Sequence, residues 1–161
     1  MATHYQHSFT WDAPASAVYA MITDPVYQEQ RSQAGNPIRA ESAVTPTDNG
    51  ATISVFRQMA IDPPAFIKSF VGDSIGIQET QTWISPTEAT LVVEILKQPG
   101  GVQGTLRLRE SGASSTVVTV DAEVAVKVPL VGGKVEGYVA SILDRLLGKD
   151  EELGKAWLAR S

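Results

Sequence analysis

From Tyr5 to Trp11 the large rings fall on every second residue: Tyr5, His7, Phe9 and Trp11 share one face of an extended chain, while His4, Gln6, Ser8, Thr10 and Asp12 share the other. This alternation predicts a half-buried first strand. After Asp12-Ala13-Pro14 the period changes, and Ala17, Val18, Met21 and Ile22 recur at helical spacing. Pro14 suits a first helical turn, where its missing N–H has no partner to lose. A helix is therefore predicted over 14–23. Asp24-Pro25 disfavours its continuation, and Pro25 can open a second short helix that Gly35 would end.

From 38 to 128 the chain breaks into short alternating runs separated by turn signals at 48–50, 85–87, 99–101 and 111–113. Leu91/Val93/Ile95, Val102/Leu106/Leu108 and the run of alternate apolar residues from Val118 to Val128 each present one apolar face, the pattern of an antiparallel sheet with one wet side. The segment 62–73 interrupts it: after two prolines, Phe66, Ile67, Phe70 and Val71 stand at helical spacing, predicting a short helix or ordered loop. Over 131–158 the period becomes helical again, with Val135, Val139, Ile142, Leu146, Leu153 and Trp157 on one stripe and Asp144, Lys149 and Glu152 outside it.

A long amphipathic helix needs an apolar surface to cover, and the concave face of the preceding sheet is the one large enough. The order of strand, two helices, about six antiparallel strands and long helix resembles the helix-grip fold of the START/Bet v 1-like (SRPBCC) superfamily, an α+β fold. The stretches carrying the resemblance are "FTWDAPASAVYAMITDPVYQEQ" and "VPLVGGKVEGYVASILDRLL". With "PPAFIKSFVGDSIGIQETQTW" between them, the chain resembles the DUF2505 family within that superfamily. The resemblance implies one domain over 1–161, a curved sheet wrapped around the last helix, and an internal cavity for an apolar or amphipathic molecule. It also implies that the segment holding Phe66 and Phe70 sits at the cavity mouth as a gate.

Composition narrows the function classes. A formal charge of −5 without clustered Lys and Arg argues against nucleic-acid binding, which needs cations to replace the phosphates' counterions. With no cysteine there is no disulfide, thiolate nucleophile or Cys-ligated zinc. The first residues lack the basic and apolar runs of a signal peptide, and no apolar run approaches membrane-spanning length. A cytoplasmic protein, monomer or homodimer, is expected.

Candidate chemistry is sparse. His4 and His7 point to opposite faces of a strand and cannot share a metal, so no metal site or cofactor is expected; a half-buried, hydrogen-bonded His7 is the ordinary reading. The glycines of "VGGKVEG" at 131–137 fit no phosphate loop, and ease the turn into the last helix. Glu136 and Asp144 stand too far apart on a helix to act as a concerted carboxylate pair. The run "KDEELGK" at 149–155 reads as solvated helix surface.

Two positions are ambiguous. If Ile53, Val55 and Met59 face inward, so does Arg57; if Ile77 and Trp83 do, so do Glu79 and Gln81. Arg57 and Glu79 could then form a polar handle that orients a ligand, whereas the commoner outcome is a bulge or flared strand end returning both to water. Phe56, Phe66, Phe70, Trp83, Tyr138 and Trp157 could line a cavity or be core. Val139, Ile142 and Leu146 should face the interior. The small residues Val118, Val120, Ala122, Val124 and Gly104 hint at internal space.

The reading that follows is binding or transport of a hydrophobic or amphipathic small molecule, lipid- or polyketide-like. Arg57, Phe66, Phe70, Glu79, Trp83, Val139, Ile142 and Leu146 are the candidate ligand-binding residues. A cyclase- or hydratase-like enzyme in the same cavity and a protein-interaction module are the alternatives.

Overall fold

The computed structural model describes residues 2–98, 100–127 and 131–160, with the side chain of Phe70 also left out. Strand β1 (Ala2–Trp11) is followed by α1 (Ala15–Ile22) and α2 (Pro25–Ser32), then by strands β2 (Arg39–Pro46) and β3 (Ala51–Ala60). Helix α3 (Ala65–Val71) separates these from β4 (Ser74–Ser85), β5 (Glu88–Ile95), β6 (Gly100–Glu110) and β7 (Thr116–Val126), and α4 (Gly132–Ala159) closes the chain. Strands β2 to β7 form an antiparallel meander, and β1 joins its far edge beside β7, giving the order β1-β7-β6-β5-β4-β3-β2. The predicted elements are all present; the 62–73 segment resolves into a seven-residue helix.

Alternation decides which side chains form the core. Ile53 and Val55 on β3, Ile77 and Trp83 on β4, Leu91 and Val93 on β5, Val102 and Leu106 on β6, and Val118 to Val124 on β7 are buried on the concave face. Val135, Val139, Ile142 and Leu143 of α4 pack into that face from the other side. At the opposite end α1 and α2 close the core with Val18, Met21, Ile22 and Tyr27. The break between them is built by Asp24, whose carboxylate accepts the Val26 N–H at 2.8 Å and caps α2 ahead of Pro25.

Two contacts fix α4 against β1. Near its start Glu136 is buried, accepting from the Thr3 hydroxyl at 2.7 Å and from the Val126 amide at 3.0 Å, and the amide holds its carboxyl below the usual range. Near its end the Trp11 indole donates to the Glu151 carbonyl at 2.9 Å and packs against Gly154. A Cβ there would fall 2.2 Å from Trp11 Cζ2. Gly104, expected to mark internal space, does the opposite: its missing side chain lets the Asp121 carbonyl approach within 2.2 Å of where a Cβ would stand.

Gly154→Ala is therefore expected to displace the indole and cost about 1–3 kcal/mol in urea denaturation. Gly148, with no atom within 4 Å of its would-be Cβ, is the control: Gly148→Ala should leave stability unchanged or raise it by up to about 1 kcal/mol through helix propensity.

Candidate functional site

The interior is polar at its centre. Tyr27, Gln28 and Arg31 lie on the inner face of α2, and all three are buried. Gln28 bridges the helices: its amide donates to the Ile22 carbonyl at 2.6 Å, and its oxygen accepts from Arg31 Nε at 2.8 Å. So oriented, the Arg31 fork meets Glu79 on β4 with both terminal nitrogens, Nη1 on Oε1 at 3.2 Å and Nη2 on Oε2. Nη1 also donates to Asp150 Oδ2 on α4 at 3.0 Å. Arg57 approaches from β3, its Nη1 3.8 Å from Glu79 Oε1 and its Nη2 donating to the Arg31 carbonyl at 3.1 Å. Gln81 donates to Glu79 at 3.0 Å and accepts from the Trp83 indole at 2.9 Å.

The two carboxylates sit in different fields. Burial alone would raise Glu79, but the Arg31 guanidinium, with help from Arg57 and Gln81, brings it down to about 2. Burial dominates at Asp150 and raises its carboxyl above the ordinary value despite Arg31. Arg57 is lowered by burial and then by Arg31. Its Nε is buried without a hydrogen-bond partner among the described residues.

Small cavities flank this cluster. One of about 50 Å³ lies toward α1 and α2, lined by Trp11, Tyr27, Trp83, Val118, Val120 and Asp150 among others. A second of about 30 Å³ lies beneath α3, with Ile67 and Val71 facing Ile75, Ile95, Val139 and Ile142. A third of about 20 Å³ continues from it, sharing Ile75, Ile95, Val139 and Ile142 and ending at Ile77 and Leu146. The α3 side is therefore an aliphatic slot, whose polar lining groups are Gln98 and Tyr138.

The family profile described as "Protein of unknown function (DUF2505)" matches residues 6–158. The chain belongs to the DUF2505 family. No curated protein matches it. A START superfamily protein from Mycobacterium smegmatis superposes with a TM-score of 0.65 at 15% identity, over 96% of this chain and 98% of that one. The ZhuI aromatase/cyclase from Streptomyces sp. R1128 does so with 0.60 at 11%, over 97% and 90%. Norcoclaurine synthase from Thalictrum flavum, in complex with dopamine and hydroxybenzaldehyde, gives 0.63 at 14%, over 100% and 89%. At such identities these likenesses establish the START/Bet v 1-like fold, which carries both binders and catalysts.

In this DUF2505 protein Arg57 and Glu79 face inward and are buried, not returned to water; the one irregular register of β4 falls between Trp83 and Ser85, away from both. Their polar capacity is engaged chiefly by Arg31 and each other. Trp83 lines the cavity near α2, Val139 and Ile142 the slot, and Leu146 its inner end. Phe66 is 40% exposed on the outer side of α3, and the side chain of Phe70 lies outside the described residues. Phe56 stacks under Arg39 on the convex face, and Tyr27 holds Trp157 edge-on. His7 is half-buried as expected, with Nδ1 3.7 Å from Asp144, but its Nε2 has no hydrogen-bond partner among the described residues.

Two members of the cluster were not anticipated. Arg31 lies in the polar "PVYQEQRS", whose helical face is too short to display a period. Asp150 belongs to the run expected to be solvated and is 9% exposed instead. A signal existed: Asp150 stands four residues after Leu146 and three before Leu153, on the apolar stripe itself.

The asymmetry of the carboxylates is testable. Glu79→Gln removes the acid that Arg31 grips with both terminal nitrogens and that Arg57 also faces, and should cost about 3–5 kcal/mol, whereas Asp150→Asn removes a charge that burial disfavours and leaves the Arg31–Glu79 pair intact, so it should cost less, about 1–2 kcal/mol. Because the folded Glu79 carboxyl lies below its ordinary 4.5, its contribution is complete above that value and fades as pH falls toward about 2. The stability gap between wild type and Glu79→Gln, followed by urea denaturation, should close over that interval.

Proposed function

We propose that this protein binds a hydrophobic or amphipathic small molecule, lipid- or polyketide-like, in the space enclosed by α3, the concave sheet and α4. The observation that carries the reading is the slot beneath α3, whose lining among the described residues is aliphatic apart from Gln98 and Tyr138. Burying an apolar chain there contributes roughly 25 cal/mol per Å² removed from water. In this reading Arg31 is not the ligand's handle, because a ligand carboxylate would have to displace Glu79 and Asp150 from it; Arg57, 3.8 Å from Glu79 and with its Nε unpartnered among the described residues, is the less engaged of the two guanidinia.

A cavity of about 30 Å³ admits a group of about water size, so an occupant must spread the walls. Helix α3 is the element suited to yield. It has seven residues, no side-chain cap at Pro64, and an end at Gly72 with φ 79°, while isolated helices of that length do not sustain themselves. Moving it outward takes Ile67 and Val71 off Val139 and Ile142 and joins the slot to its inner extension.

A second reading, acid–base catalysis, is favoured by one observation: Asp150, with its raised carboxyl, lines the cavity near α2 beside Tyr27. That group is absent from the slot lining, so the two readings place an occupant on opposite sides of the charge cluster.

Titration with the neutral probe N-phenyl-1-naphthylamine separates them. The binding reading expects saturable fluorescence enhancement that Val139→Trp weakens about tenfold or more while circular dichroism is unchanged, since an indole there fills the slot. Enhancement insensitive to Val139→Trp but lost in Leu147→Trp, which fills the other cavity, would favour the catalytic side; no enhancement at all would contradict binding.

A further inference from the structure

The slot and its inner extension differ in polarity along their length. The extension, walled by Ile77, Val93, Val102, Leu143 and Leu146 besides the residues it shares with the slot, has no polar side chain in its lining among the described residues. The slot has two, Gln98 and Tyr138, and no charged one. Pro99, Val128, Pro129 and Leu130, which lie outside the described residues, carry no charge either.

Local structure brings both polar groups to the α3 end. Val135, Tyr138, Val139 and Ile142 recur at spacings of three and four on α4 and so line the slot from one helix face. No described residue hydrogen-bonds the Tyr138 hydroxyl. Gln98 stands just past β5 in a turn closed by its own N–H, which donates to the Ile95 carbonyl at 3.1 Å. Lys97 takes φ 68° within that turn, a left-handed conformation unfavourable for lysine, and the chain thereby folds back so that Gln98 joins Ile95 in the slot wall.

The other end has a charged floor. Glu79 follows Ile77 on the same face of β4, and Asp150 stands one helical turn beyond Leu146 on α4, both of them bound to Arg31. An apolar chain entering beneath α3 can run to Leu146 and no further, because advancing would set its methylenes against buried charges. Tyr138 and Leu146 are eight residues apart on α4, about 12 Å along its axis, roughly the reach of an extended chain of ten carbons. Outward movement of α3 changes the width of this space; α4 and β4 fix its length.

We propose that the occupant is a neutral straight-chain amphiphile of about ten carbons, its tail ending at Ile77 and Leu146 and its one hydroxyl, ester or amide group meeting Tyr138 and Gln98. The assignment rests on the binding reading above and gives it a substrate class. An ionised head would lose its water where the wall offers no counter-charge, whereas a hydroxyl or carbonyl exchanges its hydrogen bonds with water for bonds to a phenol and an amide. The charge cluster, closed to the ligand itself, measures the chain.

Displacement of N-phenyl-1-naphthylamine by straight-chain alcohols from 1-hexanol to 1-tetradecanol reads the length directly. Affinity is expected to rise about fourfold per methylene up to decanol and to stop rising beyond it. Leu146→Phe, which thickens the inner wall, should move the break to a shorter chain. Tyr138→Phe keeps the ring and should weaken decanol about fivefold, the equivalent of one neutral hydrogen bond, with the naphthylamine probe unaffected. Decanoate at about pH 8, fully ionised, should bind about tenfold or more weakly than decanol. Affinity that climbs unbroken to tetradecanol, a break unmoved by Leu146→Phe, decanoate that equals or exceeds decanol, or decanol indifferent to Tyr138→Phe would each overturn the assignment while leaving the slot as a binding site. Failure of the probe and of every alcohol to bind would overturn the binding reading with it.

Discussion

Arg31, Arg57, Glu79 and Asp150 meet at the centre of the fold with formal charges that cancel, and the rest of the structure is arranged around that meeting. Each comes from a different element: α2, β3, β4 and α4. A buried charge left without its partner costs several kcal/mol, so these elements must assemble in one register or not at all. Glu79 anchors the group because it accepts from Arg31 and Gln81 and lies 3.8 Å from Arg57, and Gln28 aims Arg31 by holding its Nε while tied to the end of α1. The cluster thus joins the α1–α2 corner to the sheet and to the last helix, elements that apolar packing alone would leave free to slide.

The same cluster divides the interior. On the α2 side Phe9, Ile22, Leu106, Leu108, Val118, Val120 and Leu147 share the walls with two indoles, a phenol, amides, Arg31 and Asp150; on the α3 side the described walls are aliphatic apart from Gln98 and Tyr138. A chain-like molecule is compatible with the second environment, whereas in the first it would lie against Arg31 and Asp150 as well as against apolar side chains. Anchoring follows the same division. The α2 end is tied down by the charge cluster, by the Asp24 cap and by Trp11 against Gly154, whereas α3 is held mainly by the insertion of Ile67. On the proposed reading, the aliphatic lining and the less firmly anchored helix coincide at one end.

Much of this was legible from residue spacing. The period-two faces of β1 and of β3 to β7, the Asp24-Pro25 break and the stripe of α4 follow directly from local sequence, because each element buries one face against a common core. Arg57 and Glu79 were legible as inward-facing from alternation, but nothing local distinguishes a paired buried charge from one released by a bulge. What decides it is Arg31, supplied by a helix about fifty residues away from Glu79 in the chain. Asp150 was hidden by its neighbours Glu151 and Glu152, although its place on the Leu146–Leu153 stripe marked it. Gly104 and Gly154 carry the same ambiguity: a missing side chain signals either empty space or close approach, and both prove to be close approach.

The most direct measurement is methyl-resolved NMR of the Ile, Leu and Val side chains during addition of a short neutral alcohol such as 1-decanol. The account predicts saturable shifts and intermolecular NOEs at Ile67, Val71, Ile75, Val139 and Ile142, with Val118, Val120 and Leu147 unmoved. Shifts confined to the latter group, or absent from both, would contradict it.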